Sequence, residues 1–218
     1  MPGYETQKLN VNVGALQWKI RALSDISQYA DPEGVAARAG ICSASWSLFG
    51  QLWPASRVLA KAVKHIDIDN RRIIELGCGL GLPSLVLQSR GADVTASDHH
   101  PLSKKFLVYN AALNRLPDIP YLDLPWTSLD QTIGQFDLIL GSDILYEQNH
   151  ANMLADLVGH LARPKAKVLI TCPGRGHRNR FSRLLKEKGF ELTETRLPFS
   201  DSDKPPYKGR LLSYRRGF

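Results

Sequence analysis

Cysteine is scarce in this 218-residue chain: Cys42, Cys78 and Cys172 are odd in number and far apart. They suggest neither a disulfide framework nor a zinc site, and they fit a reducing cytoplasm. The six histidines, His65, His99, His100, His150, His160 and His177, show no metal-ligand spacing, so no metal is expected. No run of 18 apolar residues exists, which argues against a membrane span. The N-terminus lacks the charged-then-apolar pattern of a secretory leader. Internal repeats and low-complexity tracts are also missing. What remains is an ordinary globular composition, 43% hydrophobic, enough for a substantial core. The length suits one large domain, or a domain with an N-terminal extension. Net charge is +7, which permits an acidic partner or RNA without showing either. Nothing in the chain demands more than a monomer.

The most informative stretch is Arg72 to Ser84. Ile73, Ile74 and Leu76 form a short apolar run, expected of a strand buried on both faces. Gly77, Gly79 and Gly81 follow, then a helix opens near Leu82 with Pro83 in its first turn. A strand, a glycine-rich turn and a helix start make a cradle for a nucleotide cofactor, because backbone N–H groups can approach the ligand closely. A dinucleotide fingerprint would place its third glycine where Leu82 stands. The pattern is instead acidic-x-Gly-x-Gly-x-Gly from Glu75, with Cys78 inside the turn. A second strand, Ala92 to Ser97, ends in Asp98, about 20 residues past Gly77, where an acid can bond both hydroxyls of a ribose. Asp98 could equally cap the helix expected over Pro101 to Leu116.

These motifs resemble those of the class I, seven-strand S-adenosylmethionine (AdoMet) methyltransferases. Later elements narrow the resemblance to the protein-lysine and nicotinamide-methylase-like branch, including the electron-transfer-flavoprotein lysine methyltransferases. Phe49 to Ser56 looks like that branch's tryptophan-containing lead-in, with Trp53 toward the cofactor or substrate entrance and Trp46 left as core. The fourth strand, Phe136 to Gly141, runs into Ser142-Asp143-Ile144-Leu145-Tyr146, similar to the branch's Asp-x-x-Tyr element. Strands one and four adjoin at the point where strand order reverses, so both motifs should face one crevice. The resemblance implies that His99 lies beside the adenosine and that a tryptophan after strand three nears the adenine. Here that residue is Trp126, displaced by two residues in Leu122-Asp123-Leu124-Pro125-Trp126.

The expected fold is α/β: a Rossmann-like, doubly wound, mostly parallel seven-stranded sheet with helices on both faces. Its strand order is 3-2-1-4-5-7-6, the last strand antiparallel. Residues 1–42 form an N-terminal extension and residues 43–218 the AdoMet-dependent domain. Val11 to Leu23 reads as strand-like. Further strands are expected at Ile119 to Leu124, Ala166 to Cys172, Phe190 to Leu197 and Arg210 to Arg216. Helices are expected at Ser56 to Ile66, Asn152 to Ala162 and Arg178 to Gly189. Asn110 and Asn114 are most simply exposed or capping. Ser200 to Tyr207 reads as a polar loop.

The implied cofactor is AdoMet, held by Trp53, Glu75, Gly77, Cys78, Gly79, Gly81, Asp98, His99, Trp126 and Ser142. The implied catalytic pair is Asp143, orienting a neutral amine, and Tyr146, shaping the pocket. A protein lysine is the first acceptor and a nicotinamide-like small amine the second. An RNA methyltransferase using the basic residues Arg175, Arg178, Arg180 and Arg183, or a non-catalytic AdoMet-binding module, are the rivals. Nucleic acid is not favoured, since no recognised RNA module or aromatic stacking set is visible. The Asn-Pro-Pro-aromatic motif of adenine and glutamine methylation is absent, its place taken by Gly141 to Tyr146.

Overall fold

From Val11 onward the chain alternates between buried and exposed side chains, with Val11, Val13, Trp18, Ile20 and Ala22 all inside. The computed structural model describes residues 3–127, 129–174, 176–196, 207 and 209–218. In it, Thr6–Val13 (β1) and Leu16–Leu23 (β2) form an antiparallel hairpin. The two-residue turn uses Gly14 at φ 61°, a conformation that glycine adopts without steric cost. The single strand-like stretch expected over Val11 to Leu23 is therefore two strands. Gly-Ala is a weaker hairpin signal than Asn-Gly, and the turn passes unnoticed in the sequence.

Short helices at Val35–Arg38 (α1) and Ser43–Trp46 (α2), and a 3-10 turn at Ser47–Gly50, lead to Pro54–Val63 (α3). The cofactor-type stretch then forms as expected: strand Arg72–Leu76 (β3), glycine turn, helix Leu82–Ser89 (α4). Strand Asp93–Asp98 (β4), helix Ser103–Leu113 (α5), strand Tyr121–Asp123 (β5) and strand Phe136–Ser142 (β6) follow. Helix His150–Leu161 (α6), strand Ala162–Cys172 (β7) and helix Arg178–Glu187 (α7) come next. Strands Glu191–Arg196 (β8) and Arg210–Arg216 (β9) complete the sheet.

The seven strands lie in the order β5-β4-β3-β6-β7-β9-β8. Counted from β3 this is the expected 3-2-1-4-5-7-6. β3 pairs in parallel with β4 and β6, β4 with β5 and β6 with β7, while β9 runs antiparallel between β7 and β8. Successive residues of the central strands supply opposite faces. Ile73 joins a core with α3, α4, α5 and the hairpin, whereas Ile74 joins one with α6 and α7. This doubly wound arrangement puts β3 and β6 side by side, with both C-terminal tips at one edge.

Several boundaries differ from the sequence reading. The helix expected over Pro101 to Leu116 starts at Ser103, because residues 99–102 form a turn on Asp98, and it ends before Arg115 at φ 57°. The helix expected from Asn152 begins at His150. β7 starts four residues before Ala166, across a register break that accommodates Pro164. Leu197, Arg175 and the loop expected from Ser200 to Pro206 lie outside the described residues. Among the described residues no helix is long and apolar enough to cross a membrane, and no cluster of His, Cys, Asp and Glu could hold a metal ion.

Asn110 overturns its simple reading. It is fully buried, and its side-chain oxygen accepts from the Arg21 N–H at 2.7 Å. Its amide nitrogen donates to the Leu80 carbonyl at 3.1 Å and the Arg21 carbonyl at 3.3 Å. Asn114 repeats the pattern on Lys19, accepting at 2.9 Å and donating at 2.8 Å. The hairpin is thus fastened to α5, and through Asn110 to the glycine turn. Asn110→Ala strips a side-chain partner from three backbone groups, the Arg21 N–H and carbonyl and the Leu80 carbonyl, and is expected to cost about 3 kcal/mol. That corresponds to a Tm lower by roughly 6–12 °C, measurable by calorimetry.

Candidate functional site

The glycine turn is held from below by two carboxylates. Glu75 is completely buried in β3. One of its oxygens accepts from the Ser84 backbone N–H at 3.0 Å and from the Ser84 hydroxyl. The other oxygen has no partner among the described residues. Burial pushes the Glu75 carboxyl up to about 8, against the Ser84 hydrogen bonds and with a further push from Asp98. Asp98, at the tip of β4, accepts from the Gly79 N–H at 2.7 Å and the His100 N–H at 2.9 Å. Burial raises its pKa too, and those backbone donors oppose the rise. Asp98 therefore braces the turn directly instead of capping α5, whose N-cap is Leu102.

At its three glycines the turn has little room for a side chain. Gly77, Gly79 and Gly81 have φ of 60°, 52° and 77°. A Cβ on Gly79 would lie 2.7 Å from the Phe49 carbonyl oxygen, and one on Gly77 would lie 3.0 Å from Ile144 and 3.1 Å from Trp126. Cys78 is buried between them, its N–H bonded to the Ser97 carbonyl at 2.9 Å, and burial lifts its thiol well above the usual range. The structure thus brings Glu75, Gly77, Cys78, Gly79, Gly81 and Asp98 together. It also brings Trp126 to the turn despite the two-residue displacement, since Leu124 folds into the core and absorbs the extra length.

From the β6 side, Ser142 ends the strand and Asp143 follows with φ 54°, a left-handed conformation that Asp tolerates better than most residues. Its N–H donates to the Thr171 carbonyl at 2.8 Å. Tyr146 stands on the same wall as Trp126, with ring centroids 6.5 Å apart. His150 joins the two, edge-on to Tyr146 at 4.4 Å and to Trp126 at 4.7 Å. One imidazole nitrogen of His150 meets the Ile144 carbonyl at 3.1 Å, and the other faces Glu147 at 3.3 Å. Burial pulls the His150 pKa down against the attraction of Glu147.

Two expected residues make their ring hydrogen bonds outside the glycine turn. The His99 ring bonds the Ala39 carbonyl at 2.8 Å and faces Asp123 at 3.4 Å, tying the N-terminal segment to β5. Trp53 fixes its indole N–H on the Leu48 carbonyl at 2.9 Å, at the entry to α3. Contact with the glycine turn from this segment comes through Phe49, which stacks on His100 at 3.8 Å while Trp46 meets both rings edge-on. Thr171, buried in β7, links the two lips. Its carbonyl holds Asp143, and its hydroxyl donates to Ala55 at 2.9 Å, two residues past Trp53. His150, Thr171, Ser84 and the Phe49–His100 stack were not singled out in the sequence, because each acts through a long-range contact. A separate depression of about 350 Å³ lies against β5 and the starts of β3 and β6, away from the glycine turn.

The arrangement suits a nucleoside cofactor. The buried Glu75 keeps a spare oxygen, the half-buried Asp98 stands at the rim, and Gly77, Gly79 and Gly81 present no Cβ to keep a ligand away. Because folding raises the Glu75 pKa, its contribution to stability is fully present below about pH 4.5 and is lost as pH rises through about 8. Glu75→Gln, neutral at every pH, is expected to flatten the stability profile over that window. Wild type loses up to about 1.4 kcal/mol per pH unit relative to it, as chemical denaturation from pH 5 to 9 would show.

Comparison with known proteins gives a consistent pattern. The family described as "Lysine methyltransferase" matches residues 43–188. Protein N-lysine methyltransferase METTL21A of Danio rerio is 32% identical, covering 79% of this chain and 84% of the relative. The mouse electron transfer flavoprotein beta subunit lysine methyltransferase is 26% identical, covering 83% and 64%. Among solved structures, the Thermus thermophilus 16S rRNA N2 G1207 methyltransferase with AdoMet and guanosine covers 100% of this chain and 52% of its own. Its TM-score is 0.66 at 16% identity, a likeness of fold.

Proposed function

The chain belongs to the lysine methyltransferase family, with AdoMet as cofactor, and from that premise we propose that it methylates the ε-amine of a lysine in a partner protein. AdoMet supplies a methyl group on a sulfonium, already activated for in-line displacement. The chain's own residues have four tasks. Glu75 and Asp98, with the backbone of Gly77 to Gly81, hold the cationic cofactor's polar groups. Trp53, Cys78, His99, Trp126 and Ser142 border that cradle.

Trp126 and Tyr146 provide aromatic faces that suit a cation and exclude water from the acceptor. Asp143 accepts a hydrogen bond from the amine and orients its lone pair. The amine must first lose a proton, which from pKa 10.4 costs roughly 4–5 kcal/mol at neutral pH. An apolar pocket lowers that pKa, whereas a nearby carboxylate raises it. Asp143 therefore serves as an acceptor for the neutral amine more than as a charge partner.

The observation that supports this reading is that Trp126 and Ile144 lie so near Gly77 that an added Cβ would stand 3.1 and 3.0 Å from them, which sets the glycine turn beside the Asp143–Tyr146 wall. Residues 1–42 act as a brace for residues 43–218, and the free thiols of Cys42, Cys78 and Cys172 suit a monomer working in the cytoplasm. Incubating the purified protein with methyl-labelled AdoMet and cell extract tests the acceptor class. Label in protein, recovered as methyl-lysine, is the expected result. Label only in small solutes or RNA, or AdoMet binding without transfer, would overturn it.

A further inference from the structure

The C-terminal edge of the sheet does not end at Asp143. Ser142 pairs with Thr171, Thr171 with Leu211, and Leu211 with Thr195. One residue further out, Asp143 is followed by Cys172, Arg210 and Arg196, the last three Cα-paired in register. At ~4.8 Å per strand, Arg210 stands ~10 Å and Arg196 ~14 Å from the Asp143 row. Arg178, the first residue of α7, shares Glu194 with Arg210, so two guanidinium groups draw on one carboxylate. Arg196 is exposed. Arg180 reaches the start of α6 and bonds Asn152 at 2.9 Å, two residues past His150. Four arginines from three elements thus rim the edge that begins at the Asp143–Tyr146 wall.

Glu194 meets Arg178 and Arg210, and Asn152 meets Arg180, which leaves an excess of positive charge along the edge among the described residues. Arg178 and Arg180 sit in the first turn of α7, which has no acidic residue, although a helix start favours negative charge. The strip is bipolar instead. Asp143 and Glu147 lie at one end and arginines at the other, complementary to a segment with a lysine at one point and acids a few residues away. Extended chain advances ~3.3 Å per residue, so 10–14 Å is about three to four residues.

We propose that the protein substrate presents its lysine in a segment with acidic side chains three to four residues away, held by Arg178, Arg180, Arg196 and Arg210. The inference rests on the lysine methyltransferase reading and names the substrate's character. The test uses 13-residue fluorescent peptides with one central lysine. Glutamates stand three and four residues to one side or the other, with glutamines there in the controls. Anisotropy measures binding to the wild type and to the doubly substituted R180E/R196E protein, both shown folded by their melting curves.

One acidic peptide is expected to bind about tenfold tighter than its glutamine control at low salt. The preference should shrink as salt rises and vanish in the variant. Equal binding of acidic and glutamine peptides would overturn the proposal. So would a 20-nucleotide single-stranded RNA that outcompetes the acidic peptide and alone loses affinity in the variant. Methylation of the same peptides is scored separately. An acidic preference without methyl transfer to any lysine peptide or extract protein removes the activity reading and leaves the surface standing. Methyl transfer with no acidic preference does the reverse.

Discussion

Replacing Asp143 with alanine is expected to lower methyl transfer by about 10²–10³-fold while leaving AdoMet affinity within about threefold. The side chain follows the tip of β6, on the wall shared with Tyr146, and the cradle carboxylates Glu75 and Asp98 sit on other strands. Its loss should therefore fall on the acceptor and spare the cofactor. Asparagine makes the informative contrast. It keeps an acceptor oxygen, tolerates the left-handed backbone at φ 54° and removes only the charge. If orientation of a neutral amine is the task, Asp143→Asn retains activity within about 30-fold of wild type and well above the alanine variant. Steady-state rates on a methylated protein or peptide, with cofactor binding by calorimetry, would check both. Full turnover by Asp143→Ala would remove the assignment.

The second large effect is expected at Gly79. Alanine there must adopt φ near 52°, which costs a residue with a Cβ roughly 1–2 kcal/mol. The added carbon would also stand 2.7 Å from the Phe49 carbonyl oxygen, a backbone atom that cannot swing aside. Relief requires the turn to move, and that movement breaks the Gly79 N–H bond to Asp98. The two costs together are expected to weaken AdoMet binding at least about 100-fold, equivalent to about 2.7 kcal/mol. Titration calorimetry would show it. Unchanged affinity in Gly79→Ala would mean that the cofactor does not lie in this cradle.

The contrast between these two positions shows what the sequence could convey. Gly79 and its neighbours are legible because their information is local. An apolar strand, three glycines at spacing two and an acid one strand later fix a turn whose geometry hardly depends on the rest. Strand order was legible for the same reason, once the chain was matched to a known pattern of alternating strands and helices. Asp143 and Tyr146 were placed by motif, and the parallel pairing of β3 with β6 explains why they share an edge with Gly77.

What escaped was information carried by contacts distant in sequence. Asn110 looks like any polar residue on a helix until the hairpin, 89 residues earlier, is laid against it. Thr171 looks like one more strand residue until α3 arrives over it, 116 positions away. His150 is by spacing one of six histidines with no metal-ligand pattern, yet it packs edge-on against the rings of Trp126 and Tyr146. Trp126 stands two residues off the motif's spacing. The burial of Leu124, which takes up the two extra residues, cannot be read from a motif.

The paired asparagines on α5 have one more effect. An isolated two-stranded ribbon has a bare flank that could recruit a third strand from a passing copy of the same chain. On β2, the Lys19 and Arg21 peptide groups that would invite such an addition are already taken by the Asn114 and Asn110 amides. These side chains act as a dummy strand, closing the β2 flank to strand addition without lengthening the sheet.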